Sequence, residues 1–143
     1  MPIPARLGIV TLGVADLDRS VAFYEALGWE RCTSSIDGEI SWFRTADTHL
    51  GLFPYSELAE DARIGSPSRG SFDGITLAMC VETEEAIHDA LDAAERAGGT
   101  ILRPASPTVF GATSYFSDPD GYVWEVAHNP SFPLGPDGRL TIP

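Results

Sequence analysis

The sequence predicts an α+β domain in which two βαβββ modules form curved mixed sheets around a cleft. Three observations point there. Two runs of alternating apolar residues, 8–14 and 74–81, each lead into a helical stripe, and each stripe is followed by three short β-prone runs. The halves can also be laid over one another as an internal repeat. A chain of 143 residues fits a single domain with one sizeable core.

In the first run, Val10, Leu12 and Val14 share one face and Ile9, Thr11 and Gly13 the other. Asp16 is the expected helix cap, Asp18 places negative charge in the first turn, and Leu17, Val21, Tyr24 and Leu27 form a stripe that ends at Gly28. Strands are expected around Trp29–Thr33, at Glu39–Thr45 after the Asp37-Gly38 turn, and at His49–Phe53. Within 54–62 a short helix is expected, capped by Ser56. Ile64–Gly70 has the turn-forming composition of a linker or mobile loop.

The second half repeats the order. After the strand at 74–81, Thr83 caps a helix with the stripe Ile87, Leu91 and Ala94, closed by Gly98-Gly99. A weak strand at Thr100–Arg103, a loop at Pro104–Pro107 and a strand near Ala112–Ser117 follow. Asp118-Pro119-Asp120-Gly121 then forces a turn before the last strand. The expected organisation is one domain over 1–143, made of modules 7–62 and 72–128, a linker at 63–71 and a tail at 129–143. The tail's Phe132, Leu134, Leu140 and Ile142 should pack on the body.

Setting Val10–Val14 over Ile75–Met79 matches Ile9 with Gly74, and Leu50-Gly51-Leu52 matches Trp124-Glu125-Val126. One sheet face must carry the helix. The opposite parity, with Ile9, Thr11, His49, Gly51, Phe53, Gly74, Thr76 and Glu125, is expected to line the cleft. Glu125 is the anomaly, an acid inside a β-prone run. Facing a cavity, it needs hydrogen bonds or charge from Thr11, Thr76, His49 or Arg44. Trp42, Phe110, Tyr115 and Phe116 are placed near the mouth, where aromatic surfaces stack on flat or hydrophobic ligands.

The formal charge of −12 and nine scattered arginines argue against nucleic acid and anionic membranes as partners. The field favours cationic or neutral small ligands. Without lysine there is no Schiff-base or phosphate-loop lysine. Cys32 and Cys80 have neither metal-type spacing nor the number for a disulfide framework, and no run reaches the roughly 18 apolar residues of a membrane span. A cytoplasmic protein is expected.

The duplicated modules, the run Val14-Ala15-Asp16-Leu17-Asp18-Arg19-Ser20-Val21-Ala22-Phe23-Tyr24, and Asp118-Pro119-Asp120-Gly121-Tyr122-Val123-Trp124-Glu125 together resemble the vicinal oxygen chelate superfamily. This is the glyoxalase, bleomycin-resistance and extradiol-dioxygenase group, and the resemblance covers nearly the whole chain. Leu52-Phe53-Pro54 with Glu57-Leu58-Ala59, and the ending Trp124-Glu125-Val126-Ala127-His128-Asn129-Pro130, are similar to a glyoxalase-like subgroup of unassigned substrate.

Metal-dependent members carry a His or Gln on the first strand, an acid on the fourth, a His on the fifth and a Glu on the eighth. Motif alignment puts these at Ile9, Gly51, Gly74 and Glu125, of which only Glu125 is a donor. The resemblance therefore implies a protein without the usual metal ligands, with no metal or cofactor expected. A small hydrophobic or cationic molecule would sit in the cleft against Ile9, Thr11, Trp42, His49, Gly51, Phe53, Gly74, Thr76, Phe110, Tyr115 and Glu125. The alternative is a lyase- or isomerase-type enzyme, metal-free with Glu125 as catalytic base or with a displaced site at His49 and Glu125. A homodimer is implied by the same resemblance.

Overall fold

The computed structural model describes residues 2–143. The first sheet has the order β1-β3-β2, from Val10–Val14 (β1), Ser41–Arg44 (β2) and His49–Pro54 (β3), with β1 parallel and β2 antiparallel to β3. The second has the order β4-β7-β6-β5, from Thr76–Cys80 (β4), Thr100–Thr108 (β5), Gly111–Ser117 (β6) and Val123–His128 (β7). Helices α1 (Leu17–Ala26) and α3 (Glu84–Arg96) follow the first strand of each half, and α2 (Tyr55–Asp61) follows β3. Among the described residues no helix is long and apolar enough to cross a membrane.

The helix caps form as expected: Asp16 accepts from the Arg19 amide and Thr83 from the Ala86 amide. Four expectations change. The Trp29–Thr33 strand shrinks to a single bridge between Arg31 and Phe43, flanked by hydrogen bonds from Cys32 N to Trp42 O and from Arg44 N to Glu30 O. The loop expected at Pro104–Pro107 is part of β5. That strand tolerates its prolines because it lies at the sheet edge and shifts register between Ile101 and Ser106. Helix α2 starts after Pro54 with no side-chain cap, so Ser56 lies inside it.

The fourth change concerns the repeat. Val14 and Val81 each stand two residues before a helix cap, and Val10 pairs with Leu50 as Leu77 pairs with Trp124. Val10 therefore corresponds to Leu77, two residues beyond the match made on apolar alternation alone. A shift of two keeps every side chain on its face. It makes Thr76 the counterpart of Ile9, while Gly74 falls in the turn before β4 with φ 79°.

One apolar cluster runs through both halves, with Tyr24 of α1 at its centre. Its ring touches Phe23, Trp29, Phe43 and Trp124 at centroid distances of 5.0–6.1 Å. Phe116, expected near the mouth, is buried in this core and stacks on Trp124. A polar knot ties the halves together. The Tyr24 hydroxyl donates to Asp118 Oδ2 at 2.7 Å and accepts from Trp124 Nε1 at 3.0 Å. Asp120 accepts from Ala15 N, Arg19 Nη2 and Ser20 Oγ, while the Tyr122 hydroxyl donates to Gly13 O. The Asp-Pro-Asp-Gly turn thus joins the second half to the start of the first helix. The tail folds into a hairpin closed by a Leu134–Leu140 bridge, with Phe132, Leu134 and Leu140 partly buried, whereas Ile142, also expected to pack, is exposed.

Candidate functional site

Strand register places Thr11, Gly51 and Trp42 in one row across the first sheet and Ala78, Glu125, Tyr115 and Arg103 in one row across the second. The Glu125 carboxylate is held within its own sheet. Its Oε2 accepts from the Tyr115 hydroxyl at 2.7 Å and from Thr113 Oγ1 at 3.0 Å. None of the four partners considered from sequence, Thr11, Thr76, His49 and Arg44, hydrogen-bonds to it; Tyr115 and Thr113 had stronger claims as cross-strand neighbours on β6. The hydrogen bond to Glu125 is the main reason the Tyr115 phenol is raised above its ordinary pKa, burial adding to it. Burial chiefly, and then the Glu125 charge, push the Cys80 thiol up.

The first-sheet positions are closed rather than empty. A Cβ on Gly51 would lie 2.9 Å from Thr11 Oγ1, 3.3 Å from Ile9 Cγ2 and 3.4 Å from Trp42 Cδ1. Ile9 is half exposed just before β1, and His49 sits with Nδ1 3.1 Å from Gly8 O. Phe53 pairs with Gly13, Thr76 begins the edge strand β4, and Phe110 is exposed at the β5–β6 hairpin tip.

Among the described residues, no group of three His, Cys, Asp or Glu side chains could hold a metal ion. The donor chemistry at the family's ligand positions does not fit one: Ile9, Gly51 and Thr76 or Gly74 offer no carboxylate, imidazole or thiolate. His49 and Glu125, considered as a displaced pair, are joined by no hydrogen bond and line no common crevice.

Two crevices lie along the seam between the halves. The first, about 520 Å³, runs between Val10–Gly13 of β1, α2, the linker, Ile75 and Leu77, and Tyr122-Val123. Of the residues expected to contact a ligand, Thr11 lines it. Its outer wall follows from Gly13. A Cβ there would meet Tyr55 at 3.0 Å and Leu58 at 3.3 Å, so glycine lets α2 settle on the sheet. Arg69 pins the linker side. It pairs with Asp73 at 2.7 Å, donates to Asp120 O at 2.7 Å and lies 3.8 Å above the Tyr122 ring. That ion pair holds the Asp73 carboxyl below its ordinary value. No sequence signal singles out Arg69, because apart from Asp73 its partners, Asp120 and Tyr122, lie some fifty residues away.

The second crevice, about 630 Å³, lies at the other end of the seam and includes His49. Glu125 lines neither crevice.

The sequence profile of the Glyoxalase/Bleomycin resistance protein/Dioxygenase superfamily matches residues 6–126. A glyoxalase-related enzyme from Fulvimarina pelagi superposes with a TM-score of 0.85 at 32% identity, covering 97% of this chain and 99% of that one. Lactoylglutathione lyase from Agrobacterium tumefaciens shares the fold, with a TM-score of 0.66 at 22% identity over 87% of this chain and 94% of that one. A probable lactoylglutathione lyase of Vibrio parahaemolyticus is 28% identical over 134 residues, 89% of this chain and 93% of that protein.

Proposed function

This chain belongs to the Glyoxalase/Bleomycin resistance protein/Dioxygenase superfamily, and from that premise we propose that it binds a small hydrophobic or cationic molecule in the first seam crevice without the superfamily's metal. The observation that carries this reading is the pairing of a crevice of ligand size with positions that cannot ligate. The crevice falls within the usual range of roughly 300–1,000 Å³. Thr11, Ile9 and Trp42 fill the space where Gly51 would need an acid, and Glu125 is engaged by Tyr115 and Thr113. Apolar walls from Leu12, Leu58 and Ile75 supply the affinity, and the Thr11 hydroxyl with the Asp73 carboxylate supplies polar recognition.

Calorimetric titration with a panel of apolar and cationic small molecules tests it, together with an assay for lactoylglutathione formation in the presence of added divalent metals. Ala62→Phe, which fills the crevice from the end of α2, should weaken the best ligand at least tenfold, while Glu125→Gln leaves it unchanged and no lactoylglutathione forms. The opposite pattern sinks this proposal, because it assigns the ligand to the Glu125 row.

That pattern would support a second reading, motivated by the carboxylate and phenol 2.7 Å apart on the sheet face: a metal-free lyase or isomerase with Glu125 as base. The second copy expected from family resemblance would cover the exposed Ile9, Ile75 and Phe110. Sedimentation of the same samples at a monomer mass would count against that pairing.

A further inference from the structure

The second crevice is the repeat image of the first. Val10 and Leu77, equivalent by strand register, line both, so β1 and β4 pass one another along the seam with a crevice at each end. Under the same equivalence Val10–Gly13 becomes Leu77–Cys80, and Tyr122-Val123 corresponds to Thr48-His49. The chain after β3, which forms α2 and the linker over the first crevice, corresponds to the chain after β7, the C-terminal tail. Leu134, Gly138 and Leu140 of that tail line the second crevice. The tail hairpin is held by Gly135 N donating to Arg139 O at 2.8 Å and by Arg139 Nε donating to Ala46 O at 3.3 Å.

The two halves have given the image a different chemistry. Its walls are apolar and aromatic, with Trp29, Trp124, Met79, Leu134 and Leu140. At its rim Arg44 on β2 stands directly opposite His49 on β3. Among the described residues the Arg44 side chain has no carboxylate within salt-bridge distance, unlike those of Arg19, Arg31, Arg69 and Arg139. His49 donates to Gly8 O through Nδ1, so Nε2 of the neutral ring is an acceptor and the donors to a carboxylate come from Arg44. Two acids share the rim: Asp47, 4.0 Å from Arg139, and Glu30. Arg44 and His49 are cross-strand partners of one hairpin; Asp47 lies in the loop between them, and the Glu30 carbonyl accepts from the Arg44 amide.

We propose that this second crevice binds an elongated apolar carboxylic acid, its chain against Trp29, Trp124 and the tail and its carboxylate on Arg44 beside His49. A guanidinium offers a carboxylate a paired, planar set of donors, and an otherwise apolar pocket strengthens that contact. The occupant and the crevice both differ from those of the metal-free reading above, so neither proposal depends on the other.

Decanoate is the probe, titrated by calorimetry and by tryptophan fluorescence, to which Trp29 and Trp124 contribute from the crevice and Trp42 from outside it. Expected results are a fluorescence change on binding, at least tenfold weaker affinity for decanol and for Arg44→Gln, an affinity between those of the parent and Arg44→Gln in Arg44→Lys, which keeps the charge and loses the planar donor pair, and no effect of Ala62→Phe in the first crevice. Unchanged circular dichroism of Arg44→Gln separates lost binding from lost folding. Four results overturn the proposal: no decanoate binding; unchanged binding to Arg44→Gln; decyltrimethylammonium binding as tightly as decanoate, which would assign the rim to Glu30; or binding lost in Ala62→Phe.

Discussion

Replacing Tyr24 with phenylalanine should cost about 2–4 kcal/mol of folding stability and lower the melting temperature by roughly 10 °C. The ring packing stays, so the loss isolates the hydroxyl. That oxygen donates to Asp118 and accepts from Trp124 Nε1, and both partners are buried. Its removal leaves a buried acceptor and a buried donor unpaired, each worth about 1–3 kcal/mol.

The effect should depend on pH in a defined direction. Burial raises the Asp118 carboxyl above its ordinary value, and the Tyr24 hydrogen bond opposes that rise. Losing the bond raises the folded-state value further. A carboxyl raised on folding adds stability when protonated and loses it as pH rises from about 3.9 through the folded value. The deficit of Tyr24→Phe relative to the parent should therefore be smallest in acid and widen toward neutral pH. Thermal or urea melts of both proteins across that window check this, and a deficit that narrows with pH would contradict it.

Gly51→Glu should destabilise the fold by about 2–3 kcal/mol without creating metal affinity. The substitution supplies the acid that the superfamily's ligand pattern has on the fourth strand. The new Cβ would press on Thr11 Oγ1 at 2.9 Å and lie against Ile9 and Trp42, and the carboxylate would enter a row in which Gly51 is buried and Thr11 and Trp42 are partly buried. Urea unfolding with and without added zinc checks both halves of the expectation. A stable variant whose midpoint rises with zinc would mean that the row can open and ligate.

Strand and helix positions were legible where a local cause sets them. Asp16 and Thr83 announce their helices, and alternation in 8–14 and 74–81 assigns faces. Alternation cannot assign the repeat, because sliding Val10 from Ile75 to Leu77 preserves parity. Counting back from the two caps resolves it. β5 was hidden by prolines that an edge strand tolerates. The polar knot of Tyr24, Asp118 and Asp120 spans about a hundred residues, so the Asp-Pro-Asp-Gly stretch reads locally as a turn and gives no sign that it joins the halves.

At the candidate site, the lack of ligating side chains at Ile9 and Gly51 was visible from residue type; at the third position the strand register replaces Gly74 with Thr76, which is no better a ligand. The crevice that remains was not visible, because it depends on Gly13 admitting α2 and on Arg69 reaching Tyr122.

Glu125 is held within its own sheet by Tyr115 and Thr113, and on the reading proposed above it holds no metal. A titration of ¹⁵N-labelled protein with Mn²⁺, followed by amide line broadening, tests it most directly. Broadening confined to scattered surface acids such as Asp61 and Asp92 is the predicted result; selective loss of the Ala78, Tyr115 and Glu125 amides at substoichiometric Mn²⁺ would contradict it.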